Sequence, residues 1–206
     1  MSFETSYFQG EEREGFYIKS MMKRNWAVQL EVLHQIDIIC KRHNISYWAD
    51  WGTLLGAVRH KGYIPWDDDI DISMMRIDYL RFISYAKKEL PQEYNINYTR
   101  DSSSTNNLIC TIFNSKYDLC VSPDYLAKNY DFPYITGIDI FVYDNIPLNE
   151  DEEKLQIELL KFVGYFKTIL DKKDIFTEED KELYFKKIES LCNIHFDKEQ
   201  PIIEQL

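Results

Sequence analysis

The sequence predicts an α/β fold of the α+β kind, with one mixed β-sheet flanked by helices and a helical C-terminal part. Three observations predict it. Ile18, Met22, Trp26, Leu33, Ile36 and Cys40 recur at three-, four- and seven-residue steps, the period of a helix with one apolar face. Asp69-Ile70-Asp71-Ile72 and Ile138-Asp139-Ile140-Phe141-Val142 alternate with the period of a strand. Beyond Asn149 the chain becomes a run of charged helical segments broken only by Gly164.

Taken in order, residues 17–40 form the amphipathic helix, whose apolar face covers the sheet. Tyr47-Trp48-Ala49 reads as a short buried strand near 47–50, with Trp48 in the core. Gly52 and Thr53 make a tight turn, and residues 54–59 are the first turns of a helix. A strand over 69–74 follows. Residues 78–90 form a helix capped by Asp78 and stopped before Pro91. Residues 94–98 and 108–113 read as strands around the polar loop 101–107. Residues 134–143 are a further strand, ended by the turn Asn145-Ile146-Pro147. Helices over about 150–170 and 178–192 complete the chain. The expected organisation is therefore a catalytic core over 1–149 and a helical extension over 150–206.

Composition narrows the function. With 206 residues, 45% hydrophobic and 15% aromatic, the chain buries one sizeable core and is short for two full domains. Its 35 Asp+Glu against 24 Lys+Arg give a net charge of −11, which argues against nucleic acid as a partner. No apolar run approaches the ~18 residues of a spanning helix, and the N-terminus lacks the pattern of a signal peptide. A cytoplasmic location without a transmembrane segment is expected. Cys40, Cys110, Cys120 and Cys192 lack the pairing of a zinc site and read as free thiols.

The chemistry concentrates in residues 52–72, GTLLGAVRHKGYIPWDDDIDI. Strand alternation puts the Asp69 and Asp71 carboxylates on one face and both isoleucines on the other. Two like charges side by side call for a cation, and Mg²⁺ suits carboxylates combined with substrate phosphates; Mn²⁺ suits the same oxygen ligands. A helix starting after the Gly52-Thr53 turn offers N–H groups to an anion. Arg59, His60 and Lys61 add local positive charge for a diphosphate. Asp67 and Asp68 shape the turn after Pro65. Asp139 joins Asp69 and Asp71 if its strand neighbours theirs. The competing reading of the acidic run is a solvated loop, and that of residues 59–61 is a surface cluster.

This string resembles the signature of the LicD family, bacterial phosphocholine transferases of the nucleotidyltransferase fold related to the fukutin-type sugar-modifying enzymes. The resemblance extends upstream through residues 16–43 and downstream to Gly137-Ile138-Asp139-Ile140-Phe141-Val142-Tyr143-Asp144. It implies a nucleotidyltransferase-like sheet and Mg²⁺-dependent transfer of a phospho-alcohol group, phosphocholine from CDP-choline above others. The acceptor would be a hydroxyl of a cell-surface glycan or glycolipid, and CMP would be released. It also implies a catalytic, metal-binding role for Asp139 beside Asp69 and Asp71. In that family a further C-terminal stretch follows, and residues 150–206 show nothing like it, so the extension is expected to be incomplete. Trp51, Tyr63 and Trp66 flank the motif as candidate choline-binding aromatics, or as packing side chains. Two other functions fit the same residues: transfer of NMP from an NTP with release of pyrophosphate, and nucleotide binding without turnover.

Overall fold

Glu14 and Gly15, both at positive φ (53° and 76°), close a two-residue hairpin of the kind that needs left-handed backbone at both central positions. The hairpin joins β1 (Glu11–Arg13) to β2 (Phe16–Ile18). Residues 16–18 are thus strand and not the first turn of the long helix; α1 begins at Ser20 and runs to His43. The computed structural model describes residues 1–97 and 109–159, together with positions 161, 177, 179 and 183. The chain divides into two compact units, one of Met1–Tyr98 and Leu108–Tyr143, the other of Thr99–Asn107 and Asp144–Leu206.

In the first unit, α1 ends at Asn44, whose left-handed conformation (φ 50°, ψ 57°) lets Ile45 N–H reach the Cys40 carbonyl, a common helix stop. Lys41, Arg42 and His43 crowd its last turn, where cations are favoured. Next come β3 (Trp48–Ala49), α2 (Trp51–Arg59), β4 (Asp71–Met75) and α3 (Arg76–Glu89). The chain passes from β4 straight into α3 through Met75, so Asp78 lies inside the first turn and does not cap it. Its carboxylate instead accepts from Ser46 N–H and pairs with Arg81. The stop before Pro91 is as expected.

The sheet continues with β5 (Asn95–Asn97), β6 (Cys110–Phe113) and β7 (Gly137–Tyr143). A short helix not foreseen, α4 (Pro123–Lys128), carries Ser122 as its cap and Pro123 at its start, a pairing favoured at helix beginnings. The strand order is β3-β4-β7-β6-β5, with β4 and β7 parallel and every other pair antiparallel. It is a mixed α/β sheet, as predicted. Ile72, Met74, Cys110, Ile112, Ile138 and Ile140 on one face bury against Val32 and Ile36 of α1 and Phe82 and Ile83 of α3. The alternate residues Asp71, Ser73, Thr111, Asp139, Phe141 and Tyr143 occupy the other face.

Trp48, expected in the core, is 37% exposed, because β3 is an edge strand and its partner across the ladder is Ser73. Cys40, Cys110 and Cys120 are free thiols. Burial pushes Cys40 and Cys110 up to about 12, so they stay as inert thiols. Cys192 and the loop 101–107 lie outside the described residues. In the second unit, residues 150–159 are helical, and the Asn149 side chain accepts from Asp151 and Glu152 N–H as a cap. Most of the second expected helix, 178–192, lies outside the described residues.

Gly56 is buried in α2, and a Cβ there would lie 2.5 Å from the Gly62 carbonyl and 3.2 Å from Ile64 N. Neither is a side chain that can move aside. Gly56→Ala is expected to lower unfolding free energy by about 1–3 kcal/mol, the usual range for overpacking, read by urea denaturation.

Candidate active site

The site grows from the junction of β4 and β7. Their parallel register sets Asp71 opposite Asp139 and Ile72 opposite Ile140, so two carboxylates stand side by side on the face away from the core. Asp139 N–H donates to the Ile70 carbonyl at 3.2 Å, which fixes the start of the ladder. Asp69 precedes β4 by two residues and lies close enough to Asp71 and Asp139 for their charges to interact. The carboxylate oxygens of Asp67, Asp68 and Asp69 lie within 4.8 Å of one another. Asp67 and Asp68, read from sequence as turn residues only, therefore add charge at the site as well.

The acidic loop is pinned from below by α1. Trp26 Nε1 donates to the Asp67 carbonyl at 2.9 Å, while Asn25 and Gln29 amides donate to the Asp68 carbonyl at 2.8 and 2.9 Å. Asp71 N–H donates to Thr53 Oγ1 at 2.8 Å, which ties β4 to the first turn of α2. Thr111 Oγ1 donates to Asp139 Oδ1 at 2.6 Å and orients that carboxylate from the neighbouring strand.

Crowding of like charge shows in the acidities. Asp71 is raised to about 6, first by burial and then by Asp69, Asp139, Asp67 and Asp50. Asp69 is raised by burial and by Asp67. Among the described residues, no cationic side chain is paired with Asp69, Asp71 or Asp139.

Asp50 was not foreseen from sequence. It caps α2 through Oδ1, which accepts from Trp51 N–H at 2.9 Å, and its Oδ2 accepts from Ser73 and Tyr143 hydroxyls at 2.6 and 2.8 Å. Burial opposes its charge, but these bonds hold its carboxyl below the ordinary range. An Asp directly before a helix is a legible cap; the Ser73 and Tyr143 bonds depend on the sheet register and are not.

Helix α2 begins at Trp51, so Gly52 and Thr53 are not a turn before it but its first turn. Their N–H groups are among those a helix leaves unused, and they lie at the Asp71 end. A Cβ on Gly52 would meet Asp67 Oδ2 at 2.6 Å, so this glycine admits the acidic loop. Arg59, His60 and Lys61 fall at the opposite end of α2, about 12 Å along its axis, and are not brought beside the carboxylates. Arg59 Nε contacts His60 Nε2 at 2.7 Å, His60 Nδ1 meets Glu14 of the hairpin at 2.7 Å, and Lys61 Nζ donates to the Val58 carbonyl at 2.9 Å. These contacts fasten the helix end to its surroundings.

The three candidate choline-binding aromatics are also separated. Tyr63 stacks on Trp26 with centroids 4.6 Å apart, and its hydroxyl contacts the Trp26 carbonyl and Gln29. It is a packing residue, its hydroxyl acidity suppressed by burial. Trp66 faces Phe16 and His60 edge-on. Trp51 stands at the head of α2, 61% exposed, with Phe141 at 5.8 Å.

Residues 44–120 match the family described as LicD/FKTN/FKRP, nucleotidyltransferase domain. The chain is 35% identical over 144 residues to the lipopolysaccharide cholinephosphotransferase LicD of Haemophilus influenzae, covering 69% of this chain and 51% of that protein. Over 58 residues it is 48% identical to the uncharacterized protein RP689 of Rickettsia prowazekii, covering 28% of this chain and 20% of that one. Over 57 residues it is 49% identical to the uncharacterized protein RT0683 of Rickettsia typhi, covering 28% and 17%. The chain thus spans about half the length of the Haemophilus relative. No helix among the described residues is long and apolar enough to cross a membrane.

Proposed function

We propose, from the match of residues 44–120 to the LicD family's nucleotidyltransferase domain, that this chain transfers phosphocholine from CDP-choline to a hydroxyl of a cell-surface glycan or glycolipid, releasing CMP. The observation that carries the reading is the parallel register of Asp71 with Asp139, with Asp69 close enough for its charge to act on both. The similarity to a lipopolysaccharide cholinephosphotransferase supports the choice of donor and acceptor. The reading also puts the chain in the cytoplasm, where nucleotide-activated donors are available.

The residues fit a hard divalent cation, Mg²⁺ or Mn²⁺. Half-buried carboxylates whose acidity is weakened by one another, with no described cation between them, are the donor set such an ion takes. Asp69 and Asp71 would hold it. Bound there, the ion would supply positive charge to the donor's diphosphate. The N–H groups of Gly52 and Thr53 in the first turn of α2 would offer hydrogen-bond donors to the same diphosphate.

The acceptor oxygen bonds to the phosphorus that carries choline, and the bond from that phosphorus to the CMP oxygen breaks. CMP leaves with the electron pair. The hydroxyl proton goes to Asp139, whose Oδ1 is held by Thr111, leaving Oδ2 to accept it.

The test is thermal stability in Mg²⁺ with CDP-choline, CDP-glycerol, CDP-ribitol, CTP and ATP, for wild type and Asp69→Ala. A ligand at a hundred times its Kd adds ~2.7 kcal/mol to stability. We expect a shift with CDP-choline that Asp69→Ala removes. Shifts with CTP or ATP alone would replace this reading with nucleotidyl transfer, and no shift with any donor would overturn it.

A further inference from the structure

Resting on the donor assigned above, we infer that Trp51 and Phe141 form the subsite for the donor's quaternary ammonium group, with Trp48 and Tyr143 extending it. The sheet register makes the case. Phe141 follows Asp139 by two residues on the same strand face, roughly 7 Å along β7, and stands opposite Ser73 as Asp139 stands opposite Asp71. An aromatic ring therefore comes next to the carboxylate pair on the face away from the core.

Trp51 completes a wall. Its ring lies 5.8 Å from that of Phe141 with the planes at 50°, and one step further Trp48 lies 5.7 Å from Tyr143 at 55°. Rings inclined in this way can present two aromatic faces to one small cation. Trp51 keeps 61% of its surface exposed, beyond what a packing tryptophan needs. Its backbone sits at φ 45°, a costly conformation for a side chain of this size.

Charge complements shape. The Asp50 carboxylate lies beneath the strip, bonded to Tyr143 and Ser73, and Asp71 and Asp139 stand at its end. The described cation–π contacts go to Trp26, Tyr7 and Phe8, and none among the described residues goes to these four rings. A ligand cation without hydrogen-bond donors suits aromatic faces and a negative surround. This assignment leaves Tyr63 and Trp66 without a part in choline binding.

The experiment measures affinity of the full chain in Mg²⁺ for CDP, CDP-choline and CDP-glycerol by calorimetry, in wild type, Trp51→Leu, Trp51→Phe, Phe141→Leu and Asp69→Ala. Wild type should bind CDP-choline more tightly than CDP or CDP-glycerol. Trp51→Leu and Phe141→Leu should each reduce the preference for CDP-choline over CDP by about 2- to 30-fold, the range of one cation–π contact. Their CDP affinity should be unchanged, and Trp51→Phe should retain part of the preference. Equal losses for CDP and CDP-choline, an unchanged preference, or an equal gain from glycerol would each overturn the subsite while leaving the donor reading in place. Failure of wild type to bind CDP in an Asp69-dependent way would remove both.

Discussion

Asp71→Asn should sharply reduce transfer while making the metal-free protein harder to unfold. CMP release is expected to fall by roughly 10²–10³-fold, since charge stabilisation at the reacting phosphate supplies several kcal/mol. The stability gain follows from the acidity of Asp71, raised to about 6 by burial and by Asp69, Asp139, Asp67 and Asp50. Below its unfolded pKa, near 4, Asp71 is protonated in both states and contributes nothing. Between about pH 4 and 6 the unfolded chain releases the proton and the folded chain keeps it, so stability falls as pH rises through this window. Above it the penalty is constant. A rise from 3.8 to about 6 corresponds to about 3 kcal/mol, and solvent screening of this half-buried group reduces that to about 1 kcal/mol. Denaturant titration with a chelator at pH 4 and pH 7.5 should show wild type losing more stability than the variant. Adding Mg²⁺ should then stabilise wild type alone. A variant with undiminished CMP release would refute the role given to this carboxylate.

Asp50→Ala is expected to lower stability by about 2–4 kcal/mol. Losing the cap of α2 costs ~1 kcal/mol, and the fully buried Ser73 hydroxyl loses its acceptor at a cost of about 1–3 kcal/mol. For a protein of this size the melting temperature should drop by roughly 5–15 °C. Adding Ser73→Ala to Asp50→Ala should recover part of the loss, because it removes the orphaned hydroxyl. Asp50→Asn, which keeps an oxygen for the Trp51 N–H, should fall between the two. A melting temperature unchanged in Asp50→Ala would show that the three bonds to this carboxylate contribute no net stability.

The alternating aspartates and isoleucines made one half of the site legible in the sequence, since period alone decides which side chains share a face. The other half depended on pairing. Nothing in residues 137–143 names β4 as their neighbour, and Thr111 touches Asp139 only because β6 and β7 pair in that register. Helix boundaries explain the remaining differences. Starting α2 at Trp51 carries Arg59, His60 and Lys61 to its far end, and two residues at positive φ, Glu14 and Gly15, turn 16–18 into a strand. Residue type alone does not separate Tyr63, stacked on Trp26, from Trp51, which faces solvent; that difference is created by packing.

β7 is the middle strand of the five, yet it enters the sheet last. As the chain leaves the ribosome, β3 with β4 and β5 with β6 can each pair early as separate antiparallel ribbons. Until residues 137–143 arrive, each ribbon presents an unpaired edge of the kind that recruits other chains. Closure across such a sequence separation is slow compared with local pairing. Maturation of the site and protection from aggregation are therefore one late event. Any shortened version that stops before β7 would lose Asp139 and expose two further sheet edges, those of β4 and β6.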